Sequence, residues 1–504
     1  MKLFTLFVLI ILILIVITYC YVKKKYSFFE THGVPYLKPQ FPFGSLQKVG
    51  SSIHMFEFLI TSYNQFKRVG KIAGFYNVFE PIYLITDIEV MKAITVKDFN
   101  KFVNRGIFVN EENEPLTGHL FAIEGDRWKF IRKRLRPAFT SQRLISMYSK
   151  ISRLGCKLVE SIEKSTKSEK VSIDIKNVAT RFTIDIISSV AFGMDSETLN
   201  DKNEELLDMF KEVIGANLPN VVKFLILSAF PNLAKILKIR LFSDKLSDFF
   251  TKEVGGNIKV RERISENPND FLSFLIKLKN TASSSLRTRK LTLDECLAQA
   301  FLFFFAGSDT SSTTISFALT ELAFNQDVQD KVRFEILEKT KGTKGEISYE
   351  ALYEMTYLSQ VVNETLRKYP PGFSILRTAN EDYKVPDSKI IIKKGSQVVI
   401  PTIGFHYDEK YWKNPMKFDP ERFTVEETAK RQPQCYFPFG EGPRNCIGKR
   451  FGLINVKYGV AKIIKDFKVT PDANMKYPIK MNHLFQHLEP LGGFMLSFKK
   501  ICSH

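Results

Sequence analysis

F-P-F-G-E-G-P-R-N-C-I-G-K-R, residues Phe437 to Arg450, sets one cysteine among glycines, two prolines and two arginines. Cys446 admits four readings: a buried structural thiol, a nucleophile, a zinc ligand, or the single ligand of something larger. A cysteine nucleophile works with a base, usually histidine. The chain has 7 histidines, none in a recognisable nucleophile signature. A zinc site takes three or four ligands, and this loop supplies one. A structural thiol leaves the glycines and Arg444 unexplained. The other cysteines, Cys20, Cys156, Cys296, Cys435 and Cys502, form no C-x-x-C pair and no disulfide framework.

A thiolate acting as the one axial protein ligand of haem iron fits the loop. Such a thiolate is held by N–H donors and nearby positive charge. Gly442 and Gly448 permit turns that bring amides close, and Pro443 stiffens the turn. Arg444 is suited to pair with a haem propionate, and Phe439 to pack beside the ligand loop. Phe439-x-x-Gly442-x-Arg444-x-Cys446-x-Gly448 resembles the haem-binding signature of the cytochrome P450 monooxygenases.

Four further elements of that family occur in order. Glu364-Thr-Leu-Arg367 resembles its E-x-x-R; on a helix, residues i and i+3 share a face. Phe418-Asp-Pro420-Glu-Arg422-Phe423 resembles the segment whose arginine joins that pair. The resemblance implies a buried Glu364–Arg367–Arg422 network that supports the cysteine loop. Ala306-Gly307-Ser-Asp309-Thr310 lies midway along an apolar helical pattern, where Gly, Asp and Thr conflict with local propensity. The resemblance implies a helix over the haem, with Gly307 leaving room for dioxygen or substrate. It implies that Thr310 hydrogen-bonds the bound oxygen and that Asp309 relays protons. Trp128-Lys-Phe-Ile-Arg132 resembles a W-x-x-x-R pair reaching one propionate. Arg377, after the proline stop, and Arg105, in N-R-G-I-F, are further propionate partners by the same resemblance.

Around these motifs the chain reads as mainly helical with small sheets. Thr292-Leu-Asp-Glu295 is a capping box, and the helical pattern then runs to about Phe324. A second helix is expected from about Ser348 to Tyr369, stopped by Pro370-Pro371. Strand-like pieces are Ile82–Thr86, Ile390–Ile392 and Val398–Pro401. Residues 281–290 read as an exposed polar loop. No G-x-G-x-x-G opens a helix, so the chain lacks a nucleotide site of its own.

Residues 3–22 carry no charge and would span roughly 30 Å as a helix, the apolar thickness of a bilayer. Lys23, Lys24 and Lys25 follow, and they outweigh Lys2. The expectation is an uncleaved transmembrane anchor (1–22) with the body cytosolic and its thiols reduced. A basic, proline-rich neck (23–50) and a haem-thiolate monooxygenase domain (51–504) follow. The net charge of +19, from 73 basic and 54 acidic residues, comes with no nucleic-acid motif. It suits anionic lipid and acidic proteins. Lys430, Arg431, Lys449, Arg450 and Lys457 flank the cysteine loop, and Lys449 and Arg450 are read as the edge of a docking face for an acidic flavoprotein.

The resemblance covers essentially the whole chain. It is strongest to insect microsomal enzymes of the third clan, which metabolise foreign compounds. It implies the P450 fold, haem b, dioxygen, and electrons from NADPH through cytochrome P450 reductase, with cytochrome b5 as an optional donor. It implies an endoplasmic reticulum location and apolar substrates such as plant toxins or insecticides. The pocket is expected from the 104–122 loop, parts of 209–248, Phe301–Phe305, 372–377 and a turn near 484–493. The alternatives are a narrow biosynthetic oxygenase of hormones, sterols, fatty acids or terpenoids, a haem sensor or electron carrier, and an isomerase or dehydratase that needs no reductase.

Overall fold

Thr292 starts the longest internal helix as the capping box requires. Its hydroxyl accepts from the Glu295 N–H, and the Glu295 carboxylate accepts from the Thr292 N–H, both at 3.1 Å. The helix runs Leu293–Phe324. It is apolar nearly all round because it passes through the centre of the molecule. The computed structural model describes residues 2–167, 172–215, 227, 231–264, 270–281, 289–343, 345–484 and 487–501. Most of the expected loop at 281–290 lies outside them.

The second expected helix is two. Tyr349–Glu354 and Thr356–Lys368 are separated at Met355, whose backbone is extended (ψ 90°). A break exposes the first N–H groups of the new helix. Glu335 satisfies them, accepting from Tyr357 N at 2.8 Å and Leu358 N at 2.9 Å. That carboxylate comes from the neighbouring Gln326–Thr340 helix, so no local signal marked the break.

Nine strands, β1 (Ile72–Asn77), β2 (Glu80–Ile85), β3 (Ile173–Asp174), β4 (Ile375–Thr378), β5 (Tyr383–Lys384), β6 (Ile391–Ile392), β7 (Gln397–Ile400), β8 (Phe467–Pro471) and β9 (Met495–Lys500), form three small sheets among the described residues. The largest has the order β1-β2-β7-β4, with β2 and β7 parallel and the other pairs antiparallel. The expected strands lie within a residue or two of β2, β6 and β7. Two apolar cores result, a large helical one and a smaller one under the four-stranded sheet.

The stretch expected as a neck is docked; it opens in helix, including a short one at Phe28–Thr31, and is extended only in its middle. Phe29 is fully buried, its ring 5.2 Å from that of Tyr76 and 5.3 Å from that of Tyr83. Pro35 and Leu37 continue the sheet edge through bonds to Gly74, at 2.8 and 2.9 Å. Phe29 and Tyr36 supply the aromatic surface that docks it, whereas Phe41 and Phe43 stay exposed. Further upstream, Lys2–Tyr26 is one helix. Among the described residues no helix is long and apolar enough to cross a membrane, so a helix, not a span, is established over 3–22.

Candidate functional site

Between Glu295 and Ala323 of the long helix, five residues are not buried: Leu302, Phe303, Ala306, Gly307 and Thr310. All five line one cavity of about 400 Å³. Their spacing is the 3.6-residue period of one helix face. Phe301, Phe304 and Phe305, expected in the pocket, lie on other faces of the helix. Phe301 sits 5.3 Å from the Phe250 ring, and Phe305 stacks on Phe210 at 5.5 Å. Leu120 and Phe121 of the 104–122 loop and 372–377 close other sides, and Phe439 to Gly440 and Arg444 to Gly448 form the floor. Among the described residues, neither 209–248 nor the 484–493 turn lines the cavity.

Cys446 is the thiol on that floor. Its N–H donates to the Phe439 carbonyl at 2.8 Å. Burial pushes the thiol up, while the Gly448 N–H and the charges of Arg132, Arg105 and Lys449 act the other way. A cation at the sulfur would complete the shift toward thiolate. Cys435 contrasts with it: fully buried, pushed up to about 11 by burial, and away from the cavity. Gly442 is indispensable to the loop, with φ +73° and a Cβ position 1.8 Å from the Thr95 carbonyl oxygen. Gly448 differs from expectation, with φ −91° and no atom closer than 4.0 Å to its Cβ position. It caps the helix that follows and is not forced to be glycine by sterics.

Four arginines surround the floor, and among the described residues none pairs with a carboxylate. Arg444 donates to the Ile123 carbonyl, and its Nε and Nη1 are buried without partners. Arg377 is 1% exposed and its Nε is likewise unpartnered. Burial lowers Arg444 to about 9 and Arg377 to about 10; it also lowers Arg105 and Arg132. Arg105 donates to Phe121 O at 2.9 Å, and Arg132 to Asn445 Oδ1 at 2.9 Å. Trp128 supports Arg444 from beneath, ring to guanidinium 4.7 Å. Uncompensated buried cations need an anion. A group carrying two carboxylates beside a thiol-seeking metal fits this donor set.

Beneath the floor, Glu364 and Arg367 are both fully buried and joined twice, at 2.7 and 2.8 Å. Arg422 Nε lies 3.4 Å from Glu364 Oε1. The expected network is therefore assembled. His406 extends it, a residue no motif signalled. Arg367 donates to its carbonyl at 2.9 Å, and its Nε2 accepts from Phe437 N at 3.1 Å. This fully buried imidazole ties the network to the first residue of the cysteine loop. Gln299 was also missed. It grips the loop above the cavity through Leu120 N (2.9 Å) and Gly118 O (3.2 Å).

Two expected residues depart from the expected roles: Gly307 lines the cavity but leaves its space toward a neighbouring helix, and Asp309 faces elsewhere. A Cβ on Gly307 would meet Ile187 of the Ile175–Phe192 helix at 2.8 Å, so its missing side chain lets two helices approach. Asp309 is buried and does not line the cavity; it pairs with Lys176 and His487. Thr310 does face the cavity. Its hydroxyl donates to Ala306 O at 2.7 Å, so what it offers inward is an acceptor.

The family model for cytochrome P450 matches residues 34–496. The chain belongs to the cytochrome P450 family. It is 36% identical over 465 residues to "Probable cytochrome P450 6a20" of Drosophila melanogaster, covering 92% of this chain and 93% of that one. It is 36% identical to "Cytochrome P450 6A1" of Musca domestica (92% and 91% covered) and 35% identical to "Cytochrome P450 6a2" of D. melanogaster (99% and 100%). Membership makes the chain a haem-containing monooxygenase that uses dioxygen.

On the outer side of the cysteine loop of this P450, the basic residues are not equivalent. Lys430 pairs with Glu427 at 2.6 Å, and Arg431 lies 4.1 Å over Trp412. Lys457 donates to Leu352 O and is pushed down to about 8 by burial. Lys449 and Arg450 remain exposed; Lys449 covers the Phe439 ring at 5.4 Å, and Arg450 donates to Ser141 Oγ at 2.8 Å.

Proposed function

We propose that this P450 oxidises apolar foreign compounds such as plant toxins or insecticides at the endoplasmic reticulum membrane. Residues 3–22 anchor it there with the body on the cytosolic side, and electrons come from NADPH through the diflavin reductase. The observation that carries the reading is the apolar cavity closed by the one exposed face of the long helix and floored by Cys446. When bound, haem supplies dioxygen binding, cleavage of the O–O bond and transfer of one oxygen atom to the substrate.

The chain's residues do the rest. Cys446 ligates the metal, with Phe439, Gly442 and Gly448 shaping its loop. Arg105, Arg132, Arg377 and Arg444 hold the propionates, and Trp128 keeps Arg444 in place. Ala306 and Gly307 provide the flat stretch of the upper wall. Thr310 accepts a hydrogen bond from a group in the cavity, and Asp309 supplies protons. Glu364, Arg367 and Arg422 brace the floor. Lys449 and Arg450 dock the acidic reductase, and cytochrome b5 serves as an optional second donor. Co-expression with the reductase, followed by mass spectrometry of products from a mixed apolar panel, tests the reading. NADPH-dependent products carrying one added oxygen are expected across several chemotypes. Absence of any product from protein with an intact haem-thiolate spectrum would overturn it.

A further inference from the structure

The turn expected to line the pocket instead sends one side chain to the long helix. His487 Nδ1 lies 2.9 Å from Asp309 Oδ2. Lys176, in the first turn of the Ile175–Phe192 helix, reaches Asp309 Oδ1 at 3.0 Å. Lys176 is fixed, donating also to Ser312 Oγ at 2.9 Å and Thr313 Oγ1 at 2.6 Å. The side chains of Asp309 and Lys176 are 9% and 17% exposed, whereas that of His487 is 43% exposed. One member of the trio is therefore partly open to solvent, and its side-chain type is the one that exchanges protons near neutrality.

We propose that His487 is the proton-entry residue of this P450, acting through Asp309. The inference rests on the monooxygenase reading given above. Turning an ionised Asp309 away from two cations toward an apolar cavity is costly. Transfer of the His487 Nδ1 proton to Oδ2 lets Asp309 turn as a neutral acid. Against burial, Lys176 and His487 hold its carboxyl well below the usual carboxylate range, so the transfer is uphill and the neutral acid is short-lived. The N–H bond breaks, an O–H bond forms, and a neutral acid leaves a neutral ring. Solvent then returns a proton to the ring; no electrons move. Other charges facing the site are Asp174, at the start of the Lys176 helix, and Glu489, on the turn of His487. Burial lowers the His487 imidazolium, Asp309 raises it and Lys176 lowers it; the balance is upward. Asp309 thus favours the charged imidazolium beyond its ordinary range. His487 is a positioning residue and touches no substrate.

The test uses the full chain with reductase, NADPH and 7-ethoxycoumarin, comparing wild type with His487→Gln and His487→Arg. Arginine keeps the charge and the bond to Asp309 but releases no proton. Both variants are expected to lose roughly a hundredfold in kcat at unchanged KM, the low end of proton-transfer effects, and to lose the alkaline limb of the pH profile. Both should match wild type when cumene hydroperoxide replaces dioxygen and NADPH. A wild-type kcat and pH profile in His487→Arg, or equal losses with the hydroperoxide, shows a structural role and overturns the relay. A wild type that forms no product removes the monooxygenase reading and the relay with it. Thermal unfolding gives a second readout. A raised folded pKa contributes stability that is present below about pH 6.5 and lost as pH rises through that pKa. Wild type should exceed His487→Gln in Tm at pH 6, the gap closing by pH 9; no gap at any pH overturns the pairing.

Discussion

One methyl group at position 442 would fall 1.8 Å from the Thr95 carbonyl oxygen, on a backbone with φ +73°. Gly442→Ala should therefore yield protein without haem, whereas Gly448→Ala should keep it, as read from the absorbance ratio of haem to protein. Cys446→Ser should lose the red-shifted carbon monoxide band of a thiolate-bound haem, while Cys435→Ala retains it. The motif showed which glycines accompany the cysteine, but not what each one does. The atom that forbids a side chain at 442 belongs to the backbone of residue 95, and the one that crowds it at 307 belongs to the side chain of residue 187. Such constraints are invisible along the chain.

The E-x-x-R pair was legible because i and i+3 on a helix are neighbours regardless of what surrounds them. Its burial was not. Arg367→Met leaves the fully buried Glu364 carboxylate with only Arg422, at 3.4 Å, and the Asp419 N–H, a loss of about 3–5 kcal/mol, measurable by denaturant unfolding. The break at Met355 escaped notice because its compensation comes from Glu335 on another helix. Glu335→Ala should cost about 1 kcal/mol, as for a lost helix cap. His406 adds a pH signature. Burial holds its imidazole neutral down to about pH 3 in the folded protein, while the unfolded chain binds that proton near pH 6.5. The unfolded state gains protons first, so this residue lowers stability progressively as pH falls from 6.5 toward 3. His119, lowered to about 4 by burial, acts with the same sign. His406→Gln should flatten the acid side of the Tm–pH curve. The phenylalanine run of the long helix was overread: composition gave the apolar content, but only the helical phase decides which rings face the cavity.

For the molecule as a whole, the charge of +19 is spread widely, yet many basic groups near the cysteine loop are already engaged. Of the basic residues flanking the loop, Lys449 and Arg450 are the exposed ones without an acidic partner among the described residues, and the docking role proposed for them can be tested. Reversing both charges (Lys449→Glu with Arg450→Glu) should slow reductase-driven reduction roughly tenfold at low salt. The difference should shrink as ionic strength rises, with the haem spectrum unchanged. Equal reduction rates at low salt would remove the docking role. The contact of Gly307 with Ile187 bears on what the enzyme can evolve to accept. A side chain at 307 would have to displace the end of Ile187, so the wall formed by the long helix has less room to change than a loop. Adaptation to bulkier molecules then falls to the opposite, loop-built wall at Leu120 and Phe121. Sequence change among enzymes of differing diet should concentrate there and spare the helix seam.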